Sequence, residues 1–195
     1  MSQQHATNKG GRGARQRILD AAAELFYREG INATGVERLA AESSVSKRTL
    51  YQHFPSKTAV VEEYLRSIEH RVADSVQPVA AAGNQTPRER LLAVFEAPTA
   101  RGGPLRGCPF HNAAVEAAGS MPGVQEIVRA SKRSFIDGLT ELAKQAGAGD
   151  PRQLGNELGV LYEGAAALAT SLDDSSPWAQ ARAAAETLID QAVGS

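Results

Sequence analysis

Fifteen residues constrain this chain more than any others: Ser43-Ser44-Val45-Ser46-Lys47-Arg48-Thr49-Leu50-Tyr51-Gln52-His53-Phe54-Pro55-Ser56-Lys57. Ser46 and Ser56 are both good N-cap residues, because a serine hydroxyl accepts a hydrogen bond from an orphan N–H of the first helical turn. The spacing predicts a helix of about two turns between them, too short to be stable alone. Val45, Leu50 and Phe54 anchor it inward. Lys47, Arg48, Thr49, Tyr51, Gln52 and His53 all carry hydrogen-bonding groups and are expected outward. A short helix that spends this much surface on polar groups suits the DNA major groove.

The residues upstream complete the unit. Ile18, Ala21, Ala22, Leu25 and Phe26 fall at helical spacing on one apolar stripe. Gly30 is placed to end that helix in the left-handed conformation. Thr34-Gly35-Val36-Glu37 reads as a capping box with Thr34 at the N-cap. The helix it opens turns Val36, Leu39 and Ala40 inward and stops at Ser43-Ser44. Helix, short turn and helix over residues 34–54 make a helix-turn-helix.

Over residues 15–66 the chain resembles the DNA-binding domain of the TetR family of bacterial regulators. The resemblance rests on Ile18-Leu19-Asp20-Ala21-Ala22 with Leu25-Phe26, on Gly30 and Thr34, and on Val45 through Phe54 followed by Ser56-Lys57. Ser44 departs from it, since family members usually place glycine in the turn. That glycine tolerates a positive φ, which costs serine something.

Charge is distributed as a DNA-binding end would require. Residues 1–57 hold nine basic and five acidic side chains, a net of +4, whereas the remainder holds 12 and 17, a net of −5. Opposite signs are expected when one end meets phosphate and the other does not. Residues 1–14 are polar, contain glycine and lack periodicity, and read as a flexible basic arm. Lys9, Arg12 and Arg15 either follow a phosphate track or minor groove when DNA binds, or are a solvated tail.

Beyond the motif every apolar segment runs at helical period, so the chain reads as all-α with about nine helices. Ser56 opens a long helix to roughly Val76, and Pro78 to Gly83 reads as a linker. Thr86-Pro87-Arg88-Glu89 is a capping box with proline at the first helical position, opening a helix to about Ala97. The Arg101-Gly102-Gly103-Pro104 loop follows. Segments Gly107–Gly119 and Pro122–Gly147 each end in glycine. Asp150-Pro151 and Ser176-Pro177 open the last two helices. The expected organisation is a basic arm over 1–14, a three-helix DNA-binding domain over 15–66, and a helical ligand-binding and dimerisation domain over 67–195.

Leu154, Leu158, Leu161, Ala165, Leu168 and Leu172 step by four and three along one seam, and Gly155, Gly164, Ala166 and Ala169 permit close helix approach. The seam serves either ordinary core packing or a dimer interface. Resemblance to the family implies the dimer, formed by the helices Asp150–Ser171 and Pro177–Val193 as a four-helix bundle. A two-fold dimer sets two recognition helices roughly 34–36 Å apart and requires a near-palindromic double-stranded operator.

The expected DNA-binding residues are Thr34, Ser46, Lys47, Arg48, Thr49, Tyr51, Gln52, His53 and Lys57. Thr34 and Lys57 stand at helix starts suited to phosphate. Tyr51 and His53 resemble the family's phosphate contacts. Lys47, Arg48, Thr49 and Gln52 suit base edges. For the small-molecule effector, a site lined by Phe95, Cys108, Phe110, His111, Phe135 and Tyr162 is expected, although any one of the aromatics, taken singly, reads first as a core filler. Cys108 reads either as a thiol made reactive by Arg106 and a helix start, giving a redox or electrophile sensor, or as a small buried hydrophobe. Cys108 with His111 supplies too few ligands for a closed zinc site. No catalytic set, metal or cofactor is expected, and no enzyme activity. A helical small-molecule binding protein or enzyme without DNA function is the more distant alternative. One cysteine, no secretion signal at Met1–His5 and no apolar run long enough for a membrane point to the cytoplasm.

Overall fold

The computed structural model describes residues 11–81, 85–97 and 106–194. Among these residues it contains nine helices: α1 (Gly11–Arg28), α2 (Val36–Glu42), α3 (Lys47–His53), α4 (Lys57–Ala81), α5 (Pro87–Ala93), α6 (Pro109–Glu116), α7 (Pro122–Gln145), α8 (Pro151–Leu172) and α9 (Ser176–Val193). They group into two units. Residues up to Ile68 join Ala113–Ile127 in the first, and Glu69–Asn112 joins Val128–Ser195 in the second. The division expected at residue 66 therefore falls within α4, and residues 113–127 side with the N-terminal unit. Hydrogen bonds explain that grouping. At the end of α6, Glu116 accepts from the Asn32 amide N–H at 2.7 Å, and its carbonyl accepts from Asn32 Nδ2 at 3.0 Å.

In the first unit the apolar stripe of α1 is interior, with Ile18, Ala22, Leu25 and Phe26 all buried. Leu39 and Leu50 bring α2 and α3 onto it, and Val60, Val61, Tyr64 and Leu65 contribute the inner face of α4. The Phe26 and Tyr64 rings meet edge to face at 5.5 Å. Gly30 ends the first turn region at φ 98°, as the glycine rule predicts. Two boundaries differ from expectation. α1 begins at Gly11, inside the stretch read as arm, and the rest of that arm lies outside the described residues. α4 continues through Pro78 to Ala81, past the expected end near Val76. The alanines after Pro78 are the best helix formers and favour continuation, against the cost of the one N–H that proline lacks. The remainder of the expected linker, and the Arg101–Pro104 loop, lie outside the described residues.

The second unit is built on α5, α7, α8 and α9. Leu91, Leu92, Phe95, Leu139, Leu154, Leu158, Trp178 and Ile189 form its core. Thr86 and Glu89 make the reciprocal capping box of α5, which ends at Ala93 rather than near Ala97. Asp150 caps α8 by accepting from the Gln153 N–H at 2.9 Å. α9 departs in detail. Its N-cap, Ser175, makes no side-chain cap bond, and Asp174 accepts from the Ser176 N–H at 3.1 Å.

The leucine seam of α8 divides. Leu154, Leu158 and Ala165 are buried, whereas Leu168 and Leu172 are exposed. Gly155 lets α8 approach α7 so closely that an added Cβ would sit 2.9 Å from the Thr140 backbone nitrogen. Asn156, Val160, Gly164, Ala167, Leu168 and Ser171 form an outward stripe without a charge, with Val160 at 75% exposure and Leu168 at 54%. On α9, Gln180, Ala183, Ala184, Thr187 and Gln191 form another. Among the described residues no helix is long and apolar enough to cross a membrane.

Candidate nucleic-acid interface

The turn between α2 and α3 is set by backbone demands. Ser43 caps the end of α2 and is buried, its hydroxyl donating to the Leu39 carbonyl at 2.6 Å. Its own carbonyl accepts from Arg17 Nε at 3.0 Å. Ser44 stands at φ 51°, the left-handed conformation that suits glycine. Ser46 then caps α3 by accepting from the Thr49 N–H at 3.0 Å. Leu50 and Phe54 point into the core. The outer face of α3 is left with Lys47, Arg48, Tyr51 and Gln52, while Thr49 and His53 are partly buried.

The expected contact residues separate by what their polar atoms already do. Ser46 and Thr49 face each other, Oγ to Oγ1 at 2.9 Å, which ties the cap to the helix. Lys47 Nζ donates to Glu37 Oε1 on α2 at 2.5 Å. Arg48 has no ion-pair partner among the described residues and stands exposed beside it. Tyr51 is 47% exposed, a large apolar ring offered to the exterior. Ser56 accepts from the Ala59 N–H at 3.1 Å and so caps α4. Lys57 follows in its first turn, where partial burial holds its pKa below the usual lysine range and the Glu116 charge opposes that shift.

Thr34 corrects the sequence reading. It is fully buried, and its hydroxyl donates to the Gly30 carbonyl at 2.7 Å. The N-cap of α2 is Gly35, with no side-chain cap bond. Thr34 therefore fixes the loop behind the helix-turn-helix and presents no hydroxyl to phosphate. Glu37, assigned by sequence to the capping box, instead pairs with Lys47. Arg15, grouped by sequence with the arm cations Lys9 and Arg12, is fixed too: it pairs with Glu63 at 2.6 Å and lies 5.2 Å over the Phe54 ring. Arg38 pairs with Glu42 at 2.8 Å and Glu29 at 3.2 Å.

In the second unit three of the expected effector residues come together. Tyr162 packs against Phe135 at 4.8 Å, Trp178 at 5.1 Å and Phe95 at 6.4 Å between ring centroids. Burial first, then the Cys108 and Glu163 charges, push the Tyr162 phenol up to about 12. Phe110 is buried but stands outside that core cluster, and His111 is exposed. Cys108 is half-buried, and its sulfur accepts from Lys132 Nζ at 3.3 Å. Lys132 also pairs with Glu163 at 2.5 Å. Sequence spacing did not reveal Lys132, which comes from α7. Among the described residues no three His, Cys, Asp or Glu side chains group as metal ligands.

Comparison with known proteins agrees with this geometry. Residues 18–64 match the family model for bacterial regulatory proteins of the tetR family. Residues 86–185, more than half of the chain, match the tetracyclin repressor-like C-terminal domain. The chain is 40% identical over 85 residues to the HTH-type transcriptional activator FasR of Mycolicibacterium smegmatis, covering 43% of this chain and 37% of that one. It is 35% identical over 74 residues to the HTH-type transcriptional repressor KstR2 of Rhodococcus jostii, covering 38% and 36%. The matches thus span little more than a third of either relative. A TetR-family transcriptional regulator from Streptomyces coelicolor superposes with a TM-score of 0.81 at 28% identity, covering 93% of this chain and 96% of that one. The capped, outward-facing α3 and both matched halves lead to one conclusion: the chain belongs to the TetR family of DNA-binding bacterial transcriptional regulators.

Proposed function

We propose that this chain is a homodimeric repressor that binds a near-palindromic operator through α3 and releases it when a small effector binds the second unit. The observation that carries the reading is the outer face of α3. Its apolar residues are spent inward, its cap is made by Ser46, and Lys47, Arg48, Tyr51 and Gln52 are left outside. Arg48 and Gln52 read base edges, arginine favouring guanine and glutamine adenine. Lys57, Tyr51 and His53 hold phosphate. Ser46 and Thr49 position the helix.

The uncharged outward stripes of α8 and α9 support dimerisation within the expected spans, Asp150–Ser171 and Pro177–Val193. The effector binds beside the Phe95, Phe135, Tyr162 and Trp178 cluster. It selects a spacing of the two recognition helices that no longer fits the groove, with a coupling of order 1–3 kcal/mol. Cys108 is read as part of the packing, not as a sensor, because its side chain is partly buried against α7. The protein acts in the cytoplasm without enzyme activity.

The test is operator selection followed by binding to the selected duplex against competitor DNA over a salt series. Arg48→Ala relaxes base preference at one position of each half-site, whereas Lys57→Ala weakens all DNA alike and flattens the salt slope by about two units, one contact from each subunit. Equal loss of specificity from both substitutions refutes the assigned roles.

A further inference from the structure

α3 begins with two adjacent cations whose situations differ. Lys47 is held by Glu37 at 2.5 Å across the turn, whereas Arg48 has no ion-pair partner among the described residues. Both members of the pair are more than half exposed, with side-chain exposures of 52% for Lys47 and 73% for Glu37. The pair therefore does not hold the core together. Glu37 lies on α2 and is separated from Lys47 by ten positions, so the turn geometry alone brings them together. The hydrogen bond from Lys47 lowers the Glu37 pKa, and the same bond raises that of Lys47. Both groups are charged at neutral pH.

An ammonium already paired with a carboxylate brings no net charge to a phosphate. Nonspecific affinity comes almost entirely from cations that displace the counterions condensed on DNA. A paired lysine displaces none until its carboxylate lets go. A base edge offers more, because guanine O6 and N7 accept from lysine and cytosine N4 donates to a carboxylate. The pair can then give up its internal bond without stranding either charge.

We infer that Glu37 is a specificity-determining residue of the DNA-reading surface, because it neutralises Lys47 towards phosphate and leaves it available at the operator. The inference rests on the proposed DNA-binding role of α3. Lys47 thus contributes to operator binding and little to nonspecific binding, while Arg48 contributes to both.

The experiment compares the full-length protein with Glu37→Gln on a poly(dI-dC) duplex and on the selected operator, between 50 and 200 mM salt. Glu37→Gln frees one cation in each subunit, two per dimer. Nonspecific binding of the dimer then tightens at low salt and its slope steepens by about 1.8, an extra fall of about 12-fold across that range. Operator affinity changes less, so the specificity ratio drops. In a Lys47→Ala background the same substitution has no such effect. An unchanged slope on poly(dI-dC) overturns the inference. So does an equal gain with Lys47 present and absent, which shows Glu37 acting by direct repulsion of phosphate. A native protein that binds every duplex alike refutes the repressor reading instead, and the poly(dI-dC) comparison still decides the role of Glu37.

Discussion

Thr34→Val separates the two roles that a threonine at this position can hold. The side chain is fully buried, and its hydroxyl donates to the Gly30 carbonyl at 2.7 Å. The same carbonyl also accepts the Thr34 amide N–H at 3.3 Å. Valine keeps the volume and loses the donor. A typical hydrogen bond contributes about 0.5–1.5 kcal/mol net, and a stranded buried acceptor costs about 1–3 kcal/mol. The carbonyl keeps its longer backbone bond, so the second term applies only in part. The new methyl adds strain, because carbon requires roughly 3.3 Å from a carbonyl oxygen. The expected loss is about 1–2 kcal/mol. Equilibrium urea unfolding reads it, at one fixed protein concentration because a dimer's apparent stability depends on concentration. DNA affinity, measured well below the unfolding midpoint, stays within about twofold. An unmoved midpoint with a several-fold loss of affinity on operator and nonspecific DNA alike would place the hydroxyl on phosphate and refute this assignment.

Four further substitutions test the second unit. Gly155→Ala forces a Cβ onto Thr140 Oγ1 and to 2.9 Å from its backbone nitrogen, so α7 and α8 must separate. The overpacking cost of roughly 1–3 kcal/mol exceeds the roughly 1 kcal/mol that alanine gains in a helix. A lower melting temperature is expected, whereas Gly138→Ala, which meets nothing within 4 Å, raises it. The Tyr162 phenol is held neutral by burial, its pKa raised from 10.0 to about 12. The sign follows from linkage: its contribution is fully present below pH 10 and is lost as pH rises towards 12. Tyr162→Phe flattens the alkaline limb of the stability profile, and an unchanged limb assigns the effect to another group. Leu168→Glu puts a charge into the uncharged stripe of α8 and gives a monomer by sedimentation with weakened operator binding. An intact dimer places the interface elsewhere.

Helix faces were legible because burial has the period of the helix. Ile18, Ala22, Leu25 and Phe26 were assigned inward from spacing alone and are inward. The serines flanking α3 were legible for a related reason, since a cap is a local bond over three residues. Pairings across the chain were not. Glu37 with Lys47, Arg15 with Glu63, and Lys132 with Cys108 and Glu163 join different elements, and no local period announces them. The α8 seam shows a further limit. Leu158 and Leu168 obey one pattern, yet one is fully buried in its own chain and the other is 54% exposed. Periodicity reports that a face is apolar and not which surface covers it.

Two identical signals with different outcomes show what local rules omit. Thr34-Gly35-Val36-Glu37 and Thr86-Pro87-Arg88-Glu89 both place a threonine three residues before a glutamate. The second closes as a reciprocal capping box. Proline at the first helical position has φ fixed near the helical value and lacks an N–H that would go unsatisfied there. The helix start is thus defined before the threonine chooses a partner. In the first, glycine occupies that position and imposes no such restriction. Gly35 becomes the N-cap at φ −77° and ψ 164°, one residue later than the motif implies. Thr34 is then outside the helix, and Gly30, held at φ 98°, presents the carbonyl that takes its hydroxyl. Glu37, released from capping, is free to meet Lys47. One glycine in place of proline therefore moves a polar residue from the proposed DNA surface into the core and leaves a carboxylate on that surface to pair with the first cation of α3.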